Sequence, residues 1–254
     1  YVTFITESYG AGLSLGKAID EYSYMTFKYD FSNIKTSKVN PLNVSPFLYN
    51  GTNVSSSISP MYVIDKRDSK RKPTEGYNIR TGGEFAGLGG DKYYKLSLQT
   101  GYYYPFTSKI IGHLMGTAGY GNSYGGDVLK SYARYIGNGR LLRGYRYDDL
   151  GPKDSAGGVV GGNSELYFNF EVHYVYNDML RPYIFYDRGN VYGSGFNLRG
   201  TNKTMSLTEM RQSYGIGLLV DTPIGPVNVN YGIKISPLPG ERGGQFNFGL
   251  GGLF

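Results

Sequence analysis

The sequence predicts an all-β fold, namely a transmembrane antiparallel β-barrel, from three observations. Apolar and polar residues alternate with a period of two, as in strands with one face on an apolar medium. Aromatic residues make up 16% of the chain, including 27 Tyr, and such residues form the girdles of outer-membrane barrels. The mean hydropathy is −0.35, which fits because only every second residue of such a strand faces lipid.

The alternation marks about eleven to twelve strands. The length of each segment is close to the ~9–11 residues that a tilted strand needs to cross a bilayer. No amphipathic helix is predicted, because no segment shows the helical period. In chain order the clearest segments cover residues 8–18, 23–35, 55–65, 77–87, 91–104, 109–121, 164–176, 181–192, 212–222, 226–236 and 244–254.

Each strand is predicted from apolar residues at every second position, and these residues are expected to face lipid. The opposite positions hold polar residues or glycine, which suit a wet lumen. The apolar sets are Met25, Phe27, Tyr29 and Phe31; Tyr94, Leu96, Leu98, Tyr102 and Tyr104; Leu166, Phe168, Phe170, Val172, Tyr174 and Tyr176; Tyr214, Ile216, Leu218 and Val220; Val227, Val229, Tyr231, Ile233 and Ile235; and Phe246, Phe248, Leu250 and Phe254.

The connections alternate between short turns and longer loops. Outer-membrane barrels put short turns in the periplasm and long loops outside the cell. This rule places the C-terminus in the periplasm and Tyr1 outside, and it makes 66–73 a solvated basic turn near headgroups. Bacterial barrels have an even number of strands and no free edge, so we expect at least one further strand before Tyr1. The longest loops are 36–54, 122–163 and 193–211.

Composition and motifs argue against an enzyme, a cofactor, a metal site or a nucleic-acid partner. The net charge of +6 is mild, and the chain has no cysteine. Ser14 and Ser123 lie in G-x-S-x-G patterns, but neither has the strand, turn and helix that a hydrolase nucleophile needs. No cysteine or clustered carboxylate is expected to join His113 or His173 in a zinc site. His173 is expected to be a polar lumen residue.

The motif Leu142-Arg143-Gly144-Tyr145 lies in the longest Gly-rich connection. A buried arginine is costly unless carboxylates meet it. Glu171 is on the inward face of the following strand, and Asp187 is on the strand after it, although its orientation is less clear. These residues suggest a loop folded back into the barrel lumen; a solvated arginine is the alternative that the residues alone leave open.

Four blocks follow one another along the chain: 139–145 with 150–152; 161–163 leading to 170–171; 185–191; and 213–217 with 223–227 and a terminal Phe254. In this order they resemble the barrel of BamA-type outer-membrane assembly factors, the bacterial surface antigen superfamily. The resemblance implies one barrel domain over residues 1–254, the C-terminal part of a barrel of about sixteen strands. The 152–161 segment is short for this family, and periplasmic repeats are not found in the chain.

The resemblance implies that Arg143 lies inside the barrel and pairs with Glu171 and Asp187. It also implies an insertase of the bacterial outer membrane that assembles β-barrel proteins by lateral opening and strand pairing. Its closing strand would carry Phe246, Phe248 and Phe254. The implied partners are outer-membrane lipid, unfolded β-barrel client polypeptides and accessory periplasmic lipoproteins.

Two other functions stay open at this stage. A secretion pore of the same superfamily would export a two-partner or patatin-type passenger. A plain diffusion pore is disfavoured, because a passive pore does not need the Arg143 block. The residues upstream of Tyr1 would separate an insertase from a secretion pore.

Overall fold

A computed structural model describes residues 4–39, 50–153, 158–193, 205–223 and 225–250. Within them, eleven antiparallel strands form one sheet whose order follows the chain, which confirms the all-β prediction. No helix in these described residues is long and apolar enough to cross a membrane. The strands are β1 (Ile5–Ala18), β2 (Ser23–Ser37), β3 (Gly51–Asp65), β4 (Gly76–Ala86), β5 (Tyr93–Pro105), β6 (Ile110–Ser123), β7 (Ser164–Tyr174), β8 (Leu180–Tyr192), β9 (Arg211–Thr222), β10 (Gly225–Ile235) and β11 (Gly244–Leu250).

Strand β7 separates an exposed apolar face from a buried face. On β7, Phe168 and Phe170 are exposed, whereas Tyr167 and Glu171 are fully buried. Successive side chains of a strand point to opposite faces of a sheet, so the period-two pattern of the sequence is also the pattern of burial. The predicted strand faces are therefore confirmed for this strand.

The short turns set the register between neighbouring strands. In the β7–β8 turn, the Asn177 side-chain oxygen accepts hydrogen bonds from the main-chain nitrogens of Met179 and Leu180, at 2.9 and 2.8 Å. Asparagine stabilises tight turns through such local bonds. The register that follows places the inward residues of β7 beside those of β8.

The sheet curls so that strands far apart in its order come together. The β3–β4 turn shows this, because Arg71 and Lys72 both form salt bridges with Asp221 on β9, at 2.5 and 2.6 Å. The basic turn 66–73 is solvated as expected, with Arg71 half-exposed, but two of its cations also pair with Asp221. Its cations find a partner on the far side of the curled sheet, which sequence distance does not reveal.

The described part of the β6–β7 connection, residues 124–153 and 158–163, packs inside the hollow of this curled sheet and forms the lumen loop. Leu142 and Leu150 of the loop form a buried cluster with Tyr167 of β7 and Val191 of β8. A short 3₁₀ turn, Ser131–Ala133, lies in the same loop. Removal of this apolar surface from water stabilises the folded-in arrangement. The loop is thus part of the core.

Candidate functional site

Arg143 of the lumen loop is bound to two carboxylates of the barrel wall. Its Nε and Nη2 donate to the Asp187 carboxylate at 2.8 and 2.6 Å, and Nη1 donates to Glu171 Oε1 at 2.5 Å. Its main-chain nitrogen also donates to Asp187, at 3.0 Å. All three side chains are at most 2% exposed. The rigid fork of a guanidinium suits this bridge between two acids.

The strand register brings the two acids to one place. β7 and β8 pair so that Asn169 lies opposite Asp187 and Glu171 lies opposite Phe185. Asp187, whose orientation the alternation left unclear, points inward and is fully buried. The Phe185 ring lies inward as well, with its centroid 3.7 Å from Arg143 Cζ, an arrangement that suits a cation on an aromatic face.

The charges around Arg143 keep it protonated. Burial by itself would lower the pKa of its guanidinium, but the carboxylates of Glu171 and Asp187 outweigh that effect and raise the pKa above its ordinary value. Two buried acids facing one permanent cation leave an excess negative charge. Hydrogen bonds from neighbouring side chains must therefore satisfy the remaining carboxylate oxygens.

Two histidines satisfy the second oxygen of Glu171. His113 Nδ1 and His173 Nε2 lie 3.0 and 2.8 Å from Glu171 Oε2. The expectation that no carboxylate would join these histidines is wrong. Strands β6 and β7 pair with His113 directly opposite Glu171, and His173 lies two residues further along the same face.

The same three residues are the donor types that zinc uses, and their ligand atoms lie within 4.8 Å of one another. However, both histidines are already bonded to Glu171, and the Arg143 guanidinium contacts its other oxygen. A fixed positive charge beside the donors opposes a metal ion by Coulomb repulsion. The geometry instead suits a hydrogen-bond network that orients Glu171, and the absence of a metal remains a prediction.

Gly144 and Tyr145 complete the contact between the motif and the wall. Gly144 has a positive φ of 91°. A Cβ at this position would lie only 2.9 Å from the carbonyl group of Gly232 on β10, so glycine is required for two reasons. Tyr145 is fully buried, and its hydroxyl donates to the main-chain oxygen of Gln212 on β9 at 2.9 Å. The motif thus contacts β7 to β10.

The predicted closing-strand residues are separate from this cluster. Phe246 and Phe248 lie on the outward face of β11 and are 60% and 62% exposed, as residues that face lipid would be. Phe254 lies outside the described residues. Phe246 and Phe248 both lie on β11, at the edge of the described sheet.

Sequence reasoning missed Asn169, which links the motif to the wall. Its side-chain nitrogen donates to the main-chain oxygen of Leu141 at 2.7 Å and to Asp187 Oδ1 at 2.8 Å. Its inward position on β7 was visible in the alternation. Only the β7–β8 register, which places it opposite Asp187, shows what it binds.

Substitution of Asn169 with leucine should loosen the lumen loop. The buried Leu141 carbonyl would lose its side-chain donor, at a cost of about 1–3 kcal/mol, and Asp187 Oδ1 would keep only its bond from Arg143 Nη2. We expect faster hydrogen exchange in residues 138–145, measured by mass spectrometry. Phe168→Leu, on the outward face of the same strand, is the control and should leave exchange unchanged. Equal exchange in the two variants would contradict this role for Asn169.

A family model for the Omp85 superfamily domain matches residues 1–254. The outer membrane protein assembly factor BamA of Nitratidesulfovibrio vulgaris is 29% identical over 220 residues, which cover 80% of this chain and 26% of the relative. BamA of Neisseria meningitidis serogroup B is 24% identical, with 98% of this chain and 36% of the relative covered. The chain therefore spans about a quarter to a third of the length of these relatives.

The crystal structure of BamA from Haemophilus ducreyi lacking POTRA domains 1–3 matches with a TM-score of 0.80 at 23% identity. The match covers 96% of this chain and 54% of that chain, and it confirms the predicted barrel fold. Taken with the curated relatives, it indicates the bacterial outer membrane as the location of the protein. Together these findings confirm the resemblance carried by the four sequence blocks: the chain belongs to the Omp85 superfamily.

Proposed function

We propose that the chain forms the membrane-embedded barrel of an outer-membrane assembly factor that inserts other β-barrel proteins. The main support is the buried Arg143 bridge to Glu171 and Asp187, which holds the lumen loop against the barrel wall. A passive pore would gain nothing from a costly buried cation that fills its lumen. The similarity to BamA proteins supports the same function.

The proposed mechanism is strand addition and needs no active-site chemistry. The first and last strands of the complete barrel would meet at a weakly paired seam. Opening of that seam exposes main-chain donors and acceptors, to which an unfolded client strand can pair. The lumen loop would brace β7 to β10 during opening, so that the wall bends only near the seam.

Features of β11 support its role as the pairing edge. It is the last strand of the described sheet, and it pairs there with β10 alone. A Cβ at Gly249 on β11 would meet no atom within 4 Å, so this position of the edge strand carries no packed side chain that would resist bending. The proposed partners are outer-membrane lipid, unfolded β-barrel polypeptides and accessory periplasmic lipoproteins.

A cross-linking experiment tests this function, because residues 1–254 contain no cysteine. The protein is placed in liposomes and mixed with a urea-unfolded barrel client that carries one cysteine in its last strand. Client folding is followed by heat-modifiable gel migration. We expect faster folding than in empty liposomes and a disulfide cross-link to Phe248→Cys at the sheet edge.

The matched control is Phe168→Cys, which also faces outward but lies on β7, a strand paired on both sides. It should not cross-link. Equal cross-linking at the two positions, or folding no faster than in empty liposomes, would refute the proposal. Delivery of the client to the vesicle interior without folding in the membrane would instead indicate a secretion pore.

A further inference from the structure

A second, partly buried ion network surrounds Tyr145, two residues after Arg143. Lys234 on β10 has a side chain only 2% exposed, and its Nζ lies 2.7 Å from Asp149 Oδ2 of the lumen loop. The same Nζ lies 3.6 Å from Glu241 Oε2, in the connection between β10 and β11. One buried lysine therefore contacts acids from two separate loops.

Arg211 on β9 completes the network. Its Nη2 and Nη1 donate to the two carboxylate oxygens of Glu241, at 2.7 and 3.2 Å. The Tyr145 ring lies between the two cations, with Arg211 Cζ at 5.0 Å and Lys234 Nζ at 4.8 Å from its centroid. Two cations and two acids balance in charge, so no member is left as an uncompensated buried ion.

The two acids are charged at neutral pH. Burial would raise the pKa of Asp149, but its hydrogen bond and attraction to Lys234 outweigh this and lower the pKa. Burial would likewise raise the pKa of Glu241, and the pairing with Arg211 lowers it instead. A lowered pKa means that the folded state favours the charged form, so these ion pairs stabilise the folded arrangement at neutral pH.

The main chain joins the same elements. The Gly144 and Gly232 backbones are in close contact, with no room for a Cβ between them. The Lys234 main-chain nitrogen donates to the Gly243 oxygen at 2.8 Å, and β11 begins at the next residue. A path of direct contacts therefore runs from the lumen loop through β10 to the start of the edge strand.

We propose that the network of Asp149, Lys234, Glu241 and Arg211 couples the lumen loop to the β10–β11 hairpin and so holds the edge strand in place. Its value for client insertion rests on the function proposed above. Lys234 is a positioning residue, because it acts on the edge strand through Glu241 and on the loop through Asp149. Loss of its charge should release the hairpin while the Arg143 bridge stays intact.

Hydrogen exchange of the purified protein in lipid nanodiscs tests the coupling. Lys234→Met keeps a similar side-chain length without the charge. We expect exchange in residues 236–248 to become about tenfold faster or more, because Asp149 and Glu241 would lose the buried cation that joins them and the hairpin would open locally. Residues 142–144 should keep their protection. Lys234→Arg, which retains the charge, should restore most of the protection of 236–248.

The control is Lys28→Met, since Lys28 forms an exposed pair with Asp30 on the same sheet. It should leave 236–248 unchanged. If Lys234→Met loosens the whole barrel, Glu241→Gln in the connecting loop tests the coupling instead. Faster exchange confined to 236–248 in that variant supports the coupling, and wild-type exchange there overturns it. Wild-type exchange in both variants also overturns it. No client is used, so failure of the insertase assay would refute the proposed function alone.

Discussion

Arg143→Ala should release the lumen loop from the barrel wall while the barrel stays folded in the membrane. The substitution leaves Glu171 and Asp187 as buried acids without their cation, at a cost of about 3–5 kcal/mol. The substitution should destabilise the contact between the loop and the wall and not the barrel, because the strands keep their own main-chain hydrogen bonds. Arg143→Lys should fail as well, since an ammonium group cannot bridge two carboxylates as a fork does.

Hydrogen exchange of residues 138–150 measures release of the loop, and heat-modifiable gel migration reports whether the barrel is folded. We expect faster loop exchange, unchanged migration and slower client folding, together with loss of growth complementation in cells that depend on the protein. Arg146→Ala is the matched control, because Arg146 lies in the same loop but is half-exposed and pairs with Asp148 there. Identical behaviour of the two alanine variants would remove the pinned-loop interpretation.

Gly144→Ala should disrupt the same contact from the main-chain side. The φ of 91° is unfavourable for a residue with a Cβ, at a cost of about 1–2 kcal/mol. The added carbon would also lie 2.9 Å from the Gly232 carbonyl group, so the loop must move away from β10. We expect loop exchange to approach that of Arg143→Ala, with barrel migration again unchanged.

Gly126→Ala separates the effect of backbone strain from the effect of the close approach to Gly232. Gly126 has a similar φ of 84° near the start of the lumen loop, but a Cβ there would meet no atom within 4 Å. It should therefore show backbone strain alone, with little change in exchange at 138–150. If Gly144→Ala perturbs the loop no more than Gly126→Ala, the close approach to Gly232 does not hold the loop.

The strands were predictable because their signal is local. Each of the eleven predicted segments overlaps one strand, and most boundaries agree within a few residues. An apolar residue at every second position requires only that one strand face meets an apolar medium. The inward position of Glu171 followed from the same rule, since it belongs to the polar set of β7.

The hydrogen-bond partners at the candidate site could not be predicted from local sequence. The contact of His113 with Glu171 depends on the β6–β7 register, and the role of Asn169 depends on the β7–β8 register. The alternation did not show whether Asp187 faces inward, because Tyr183 and Phe185 on the same face of the strand are aromatic. Both rings are buried on the inward face, and Arg143 of the lumen loop lies over the Phe185 ring, so that part of the hollow is buried core.

Local sequence pattern was thus enough for the all-β class, the strand boundaries and the lipid-facing surface, since each follows from the geometry of a single strand. The four sequence blocks also pointed to the family. The curl of the sheet, the acids that meet Arg143 and the ion network at Lys234 arise only from the folded chain. They join residues far apart in sequence, and their geometry depends on strand register and sheet curvature, which are properties of many strands together.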